Sequence, residues 1–217
     1  MPVRTVSNRG GNIIGKFPSI KMRRMIAFES LLERDFIYLL DYEADVEWFE
    51  EQPLTIEYQC GGQIRHYTPD FHLLERGEHV LIECKPECFT DKDENRHKFA
   101  VAREWCLEHR WLFRVVTDRE VRAGFRLHNV KLLTRYARQP VGPVIRRQIY
   151  TLLQGAQCPM RMNDIASVLE PGASTPVIGS ILHLAFHHEI CVSIEEAPLS
   201  GKTLVCLKDS KQKEAAT

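Results

Sequence analysis

The dipeptide Pro69-Asp70 is followed, after twelve intervening residues, by the triplet Glu83-Cys84-Lys85. If Glu75 to Glu78 form the loop of a hairpin, Leu74 faces His79, and the same register sets Asp70 directly opposite Glu83. Side chains so opposed have Cβ atoms about 5 Å apart. Two carboxylates at that distance repel unless positive charge lies between them, and a hard divalent cation such as Mg²⁺ takes such oxygens. Lys85, two residues beyond Glu83, leaves the same strand face, while Val80, Ile82 and Cys84 point the other way, toward a core. A lysine beside two carboxylates and a cation can orient an attacking water or stabilise charge on a phosphoryl oxygen. An ordinary surface hairpin with Lys85 salt-bridged to either acid is the competing reading of the same spacing.

A third carboxylate could come from the helix ahead. Glu29 and Glu33 are four apart and share one helix face. Glu33 is flanked by Leu32, Phe36 and Ile37, at the edge of an apolar stripe, so it either approaches the sheet or turns to solvent.

Stepping outward, the helix itself is expected over about 27–40, from the spacing of Phe28, Leu32, Phe36, Leu39 and Leu40. LTIEYQC (54–60) alternates as a strand, Gly61-Gly62 marks a turn, QIRHYTPDFHLL (63–74) is extended, and HVLIECK (79–85) is another strand. A helix over about 91–110 carries Phe99, Ala102, Trp105 and Cys106 on one stripe. WLFRVV (111–116) reads as a buried strand running into Thr117 and Glu120, a capping box for the next helix. This order describes an α/β layer.

The stretch QPVGP (139–143) interrupts the pattern and suggests a boundary. Beyond it, VIRRQIYTLLQ, MRMNDIASVLE and STPVIGSILHLAFHHEI read as three helices, the last capped by Ser174 or Thr175. CVSIEEAPLSGKTLVCLK follows as two strands around a turn. Three helices and a hairpin describe a winged helix, which serves either DNA or protein contacts. The third helix carries His183, His187, His188 and Glu189 and is not basic; the His187-His188 pair reads as a C-terminal cap. The tail DSKQKEAAT is expected to be disordered.

Composition narrows the class. The chain has 217 residues, 44% hydrophobic and 27% charged, enough to build a core. No window has the apolar length of a membrane span, and the first twenty residues lack the apolar run of a secretion signal. Seven scattered cysteines make a disulfide scaffold improbable and point to a reducing cytoplasm. Net charge is zero, yet Arg4, Arg9, Lys16, Lys21, Arg23 and Arg24 occupy residues 1–28 without an acid, and ten acids follow over 29–57 against Arg34 alone. A basic arm for an anionic partner fits, with Lys16, Lys21, Arg23 and Arg24 as phosphate contacts; a solubilising tail followed by a solvated helix face explains the same charges. Zinc on Cys84, Cys88 and His97, or on Cys106 and His109, lacks a complete ligand set. A cysteine nucleophile at Cys84 or Cys88 would need a base such as His97.

SLLERDF, WFEEQP, YTPDF, LIECKPE and WLFRVVTDREV, in this order from Phe28 to Glu120, resemble the TnsA endonuclease subunit of heteromeric bacterial transposases. That family lies in the restriction-endonuclease-like PD-(D/E)xK superfamily. The resemblance implies a mixed sheet flanked by helices, followed by a small winged-helix domain. Its boundaries would be a basic arm over 1–27, an endonuclease domain over 28–139, a winged-helix domain over 140–208 and a tail over 209–217. It implies a catalytic set of Glu33, Asp70, Glu83 and Lys85, with Glu33, Asp70 and Glu83 as metal ligands; Glu33 rather than Glu29 occupies the acidic position of the motif. Two Mg²⁺ ions, replaceable by Mn²⁺, would serve cleavage of the 5′ strands at transposon ends. A TnsB-like DDE transposase would cut and join the 3′ ends, and a TnsC-like AAA+ ATPase would regulate both. A restriction or repair nuclease with the same core, or a non-catalytic DNA-binding module, are the alternatives. Gln52-Pro53 belongs to a motif of the family without an assignable role.

Overall fold

The computed structural model describes residues 13–171 and 174–208. Arg4, Arg9, the 209–217 tail and the side chains of Ser174 and Thr175 lie outside the described residues. The chain divides into two compact units, Met1–Ala123 and Gly124–Thr217.

The first unit is mixed α/β. Its main sheet has the order β3-β6-β7-β8, built from β3 (Val46–Glu51), β6 (Phe71–Glu75), β7 (Glu78–Cys84) and β8 (Leu112–Val116). The β3–β6 and β6–β7 pairs are antiparallel and β7–β8 is parallel, joined by α2 (Asp93–His109). Two hairpins stand apart from it: β1 (Gly15–Pro18) with β2 (Met25–Phe28), and β4 (Ile56–Cys60) with β5 (Gln63–Tyr67). The helix α1 (Leu31–Tyr42) follows the first hairpin, and the short α3 (Asp118–Val121) follows β8. A mixed sheet with flanking helices fits a restriction-endonuclease-like fold.

The β6–β7 register follows from local rules. Arg76 and Gly77 turn the chain at φ 51° and 78°, the two-residue geometry that matches strand twist. Glu75 therefore pairs with Glu78, so the loop is two residues shorter than the expected Glu75–Glu78 span, while the register is the expected one: Leu74 faces His79 and Phe71 faces Ile82.

Val80, Ile82 and Cys84 are buried as expected, and the opposite face of β7 is covered as well. Leu81, on the face of Glu83, has no exposed surface, because it packs with Ile56, Tyr67, Ala102 and Cys106 of the β4–β5 hairpin and α2. Such burial on both faces is normal for a strand with a parallel partner. The sequence reading also omits β1, β2 and β3 as strands and merges β5 with β6.

The basic arm is revised over its described part, since residues 15–28 form a hairpin, β1 and β2 with the loop between them. Lys21 caps α1 from the intervening loop: its Nζ donates to the carbonyls of Leu40 (2.7 Å), Val46 (2.6 Å) and Glu43. Burial pushes its pKa down to about 8 against the pull of Asp41, Glu43 and Asp45. Arg24 makes a two-pronged pair with Glu51 at 2.8 and 2.6 Å. Lys21, half-buried, and Arg24, exposed but paired with Glu51, thus hold segments of the fold together, while Lys16 and Arg23 are exposed.

The second unit contains α4 (Arg126–Tyr136), α5 (Pro143–Gly155), β9 (Met160–Arg161), α6 (Met162–Leu169), α7 (Ser174–Phe186), β10 (Ile190–Val192) and β11 (Leu204–Leu207). The three strands form one sheet in the order β10-β11-β9. The divide at Ala123/Gly124 lies ahead of the expected 139–143, and the reason is α4. Its Asn129, fully buried, donates to the carbonyls of Ile194 and Ala197 and accepts from the Leu199 amide, at 2.7–2.8 Å, so α4 belongs with the loop between β10 and β11. At the end of α7, His188 turns at φ 55° and the Glu189 amide bonds the Leu184 carbonyl, closing the helix. His183 and His187 face the carbonyls of Tyr136 and Ala137.

Candidate active site

Asp70 stands just ahead of β6, fastened on both sides: its amide donates to the Ile82 carbonyl (2.9 Å) and its carbonyl accepts from the Gln52 amide (2.8 Å). The β6–β7 register carried one step further sets it opposite Glu83. Its Oδ2 accepts from the Cys84 amide at 2.7 Å. Glu83 is buried on β7. Its Oε1 meets Lys85 Nζ at 2.9 Å and its Oε2 accepts from the Tyr67 hydroxyl at 2.8 Å. Lys85 is held just past the strand by its amide bond to Val116 (2.9 Å). Asp70, Glu83 and Lys85 are thus gathered at the ends of two central strands.

Glu33 lies in the first turn of α1. Ser30 is the N-cap, its Oγ accepting from the Glu33 amide (3.1 Å), and Glu33 Oε2 accepts from the Glu29 amide (2.7 Å). This is a capping arrangement, so Glu33 has a structural use independent of chemistry. It nonetheless adds to the charge at the sheet. Loss of solvation, then Glu83, then Glu33 push the Asp70 carboxyl well above its usual range. Glu33 is raised in turn by burial and by Glu29 and Glu83, against the bonds from Glu29 and Ser30. Burial alone would lower Lys85, but Glu83 foremost, with Asp70 and Glu33, raises it and keeps it protonated. Burial and Glu83 likewise keep Tyr67 protonated, as a donor.

One ammonium faces three carboxylates, an unbalanced arrangement that a divalent cation would relieve. Among the described residues no three or more His, Cys, Asp and Glu side chains are grouped to hold a metal. Of the expected trio, Asp70 and Glu83 are brought together by the strand register, and Glu33 adds its charge to theirs. The pair Asp70 and Glu83 still fits Mg²⁺, which is commonly held by one or two carboxylates together with water and phosphate oxygens.

The cysteine alternatives find no support in the geometry. Burial, then Asp70, Glu33 and Glu83, push the Cys84 thiol well up, the opposite of what a nucleophile needs, and among the described residues no group of three or more His, Cys, Asp and Glu is placed to hold zinc. All seven cysteines are free.

Two residues at the site were not singled out for chemistry by the sequence. Tyr67 supplies a donor to Glu83; its only signal is a tyrosine three residues ahead of Asp70 in YTPDF. Gln52 binds Asp70 through its backbone and donates from Nε2 to Glu29 Oε1 at 3.0 Å.

Comparison with known families agrees with this geometry. Residues 43–118 match the family model described as TnsA-like endonuclease N terminal, a stretch that holds Gln52, Tyr67, Asp70, Glu83 and Lys85 and begins after Glu33. No curated protein matches the chain. Motifs and sheet agree with the family match, which supports a TnsA-like endonuclease domain over residues 43–118, the stretch that holds Asp70, Glu83 and Lys85.

Proposed function

We propose that the chain is the DNA endonuclease subunit of a Tn7-type cut-and-paste transposase, cutting the 5′ strands at transposon ends beside a TnsB-like DDE transposase and under a TnsC-like ATPase. The observation that carries this reading is the apposition of Asp70, Glu83 and Lys85 at 2.9 Å or by direct strand register, inside the family-matched stretch. A bound Mg²⁺ or Mn²⁺, as one ion or two, would supply Lewis-acid stabilisation and a more acidic water. Asp70 and Glu83 would hold it, with Glu33 contributing from the edge. Protonated Lys85 would orient the water or steady a phosphoryl oxygen. Tyr67 fixes one Glu83 oxygen and leaves the carboxylate further lone pairs. We read the second unit as winged-helix-like, with α5, α6, α7 and the β10–β11 strands, serving DNA or partner contacts.

The test is Asp70→Ala in a complete transposition assay with Mg²⁺, transposon-end DNA and the partner proteins. The variant should fold and join its partners yet leave the 5′ strands uncut. If the partner still joins the 3′ ends, simple insertions should give way to fused donor–target products, which long-read sequencing distinguishes. Simple insertions at the wild-type ratio would remove Asp70 from the site and the nuclease reading with it. No strand scission by the wild type under any such condition would favour a non-catalytic module.

A further inference from the structure

Gln52 concentrates two costs on one residue. It sits at φ 46°, a left-handed conformation that non-glycine residues rarely adopt, immediately before Pro53. It is also only 9% exposed, and its Oε1 is buried without a hydrogen-bond partner. The amide cannot be turned over to satisfy that oxygen, because Nε2 must face the Glu29 carboxylate. An αL backbone and an orphaned acceptor each destabilise the fold, so they persist where the surroundings over-determine them.

What holds Gln52 in place runs to both halves of the candidate site. Its backbone amide is bonded to the Asp70 carbonyl, and its side chain to Glu29. The Glu29 amide in turn bonds Glu33 Oε2. The neighbouring Glu51 anchors the same elbow, gripping Arg24 at 2.8 and 2.6 Å and the Ala27 amide at 3.2 Å. One residue thus links Asp70, just ahead of β6, to the helix start carrying Glu33.

We infer that Gln52 is a positioning residue of the nuclease site, setting the Glu29–Glu33 turn relative to Asp70 through its side-chain amide. This rests on the nuclease reading. It gives the Gln-Pro motif a physical role: the left-handed turn aims the amide, and Pro53 restricts the chain beyond it.

Two substitutions in the full chain separate positioning from stability. Gln52→Gly and Gln52→Ala both delete the amide, but only glycine adopts φ 46° without strain. Gln52→Gly should therefore melt at a higher temperature than Gln52→Ala. Both should cut transposon-end DNA at least about tenfold more slowly, with KM for DNA unchanged, because misplacing a catalytic group lowers kcat. Independently of activity, hydrogen exchange at the Glu29 amide should speed up in both variants. Unchanged exchange there, or cutting that follows stability so that the glycine variant is as active as wild type, overturns the proposal. Asp70→Ala run in parallel keeps the two readings apart: if it cuts normally the nuclease reading fails, while the exchange data still decide whether Gln52 holds the turn.

Discussion

Asp70 pays an electrostatic penalty that only a cation or a proton removes. Burial, Glu83 and Glu33 raise its pKa in the folded chain above the unfolded value of about 4. An acid shifted upward binds its proton more tightly when folded, so its ionised form weakens the fold at neutral pH. Stability of the metal-free chain should accordingly rise as pH falls from neutral through the raised folded value. The gain ends once carboxyls of the unfolded chain also protonate, near pH 4. Asp70→Asn should raise the melting temperature of the metal-free protein at pH 7 and abolish cutting, since the amide oxygen can still accept from Cys84. Thermal melts with and without Mg²⁺ or Ca²⁺ check this: the cation should stabilise wild type more at pH 7.5 than at pH 5.5, and Asp70→Asn much less. Identical melts for both chains would mean that the carboxylates do not repel in solution.

The helix that carries Glu33 is held at its two ends by different devices. At the start, Ser30 caps the Glu33 amide, so Ser30→Ala should cost about 1 kcal/mol. At the end, Lys21 reaches in from outside the helix to the carbonyls of Leu40 in α1, Glu43 just past it and Val46 at the start of β3. Lys21→Met keeps the stem and leaves those carbonyls without their donor, which should cost about 2 kcal/mol. Urea unfolding measures both; a loss as large from Lys16→Met, whose side chain is exposed, would contradict the assignment. The start of this helix is legible because Ser30 and Glu33 are three residues apart. Its end is not, because its cap lies twenty residues earlier in the chain.

Across the molecule, zero net charge conceals segregation, with acids crowded over 29–57 and cations ahead of them. Half of the four expected phosphate contacts are already committed inside the first unit, which leaves Lys16 and Arg23 to face an anionic partner. Changing both to Gln should flatten the slope of log affinity for duplex DNA against log salt by about 2 units at most, at about 0.9 per phosphate contact. Lys21→Gln should leave that slope unchanged while lowering stability. A fluorescence anisotropy series over salt concentration separates the two, and a Lys21→Gln slope as flat as that of the double variant would restore Lys21 to the DNA surface.

What the sequence determined by itself was whatever depends on neighbours in the chain. The short turn between two adjacent strands settles the β6–β7 register, two residues at Arg76-Gly77 in place of the four expected, and the register alone sets Asp70 against Glu83 with Lys85 on the same side. Local capping signals likewise place Thr117 at the start of α3, where its Oγ accepts from the Glu120 amide at 3.3 Å. Tertiary structure alone decided the rest. Tyr67 reaches Glu83 only because the β4–β5 hairpin folds over Leu81, and α4 joins the second unit only because Asn129 finds carbonyls some 65 residues onward. Lys21, Arg24 and Gln52 look like free polar side chains until the segments they fasten are brought beside them. A hydrogen bond between distant segments leaves no periodicity in the chain, since its strength depends on where two backbones meet and on the water excluded there.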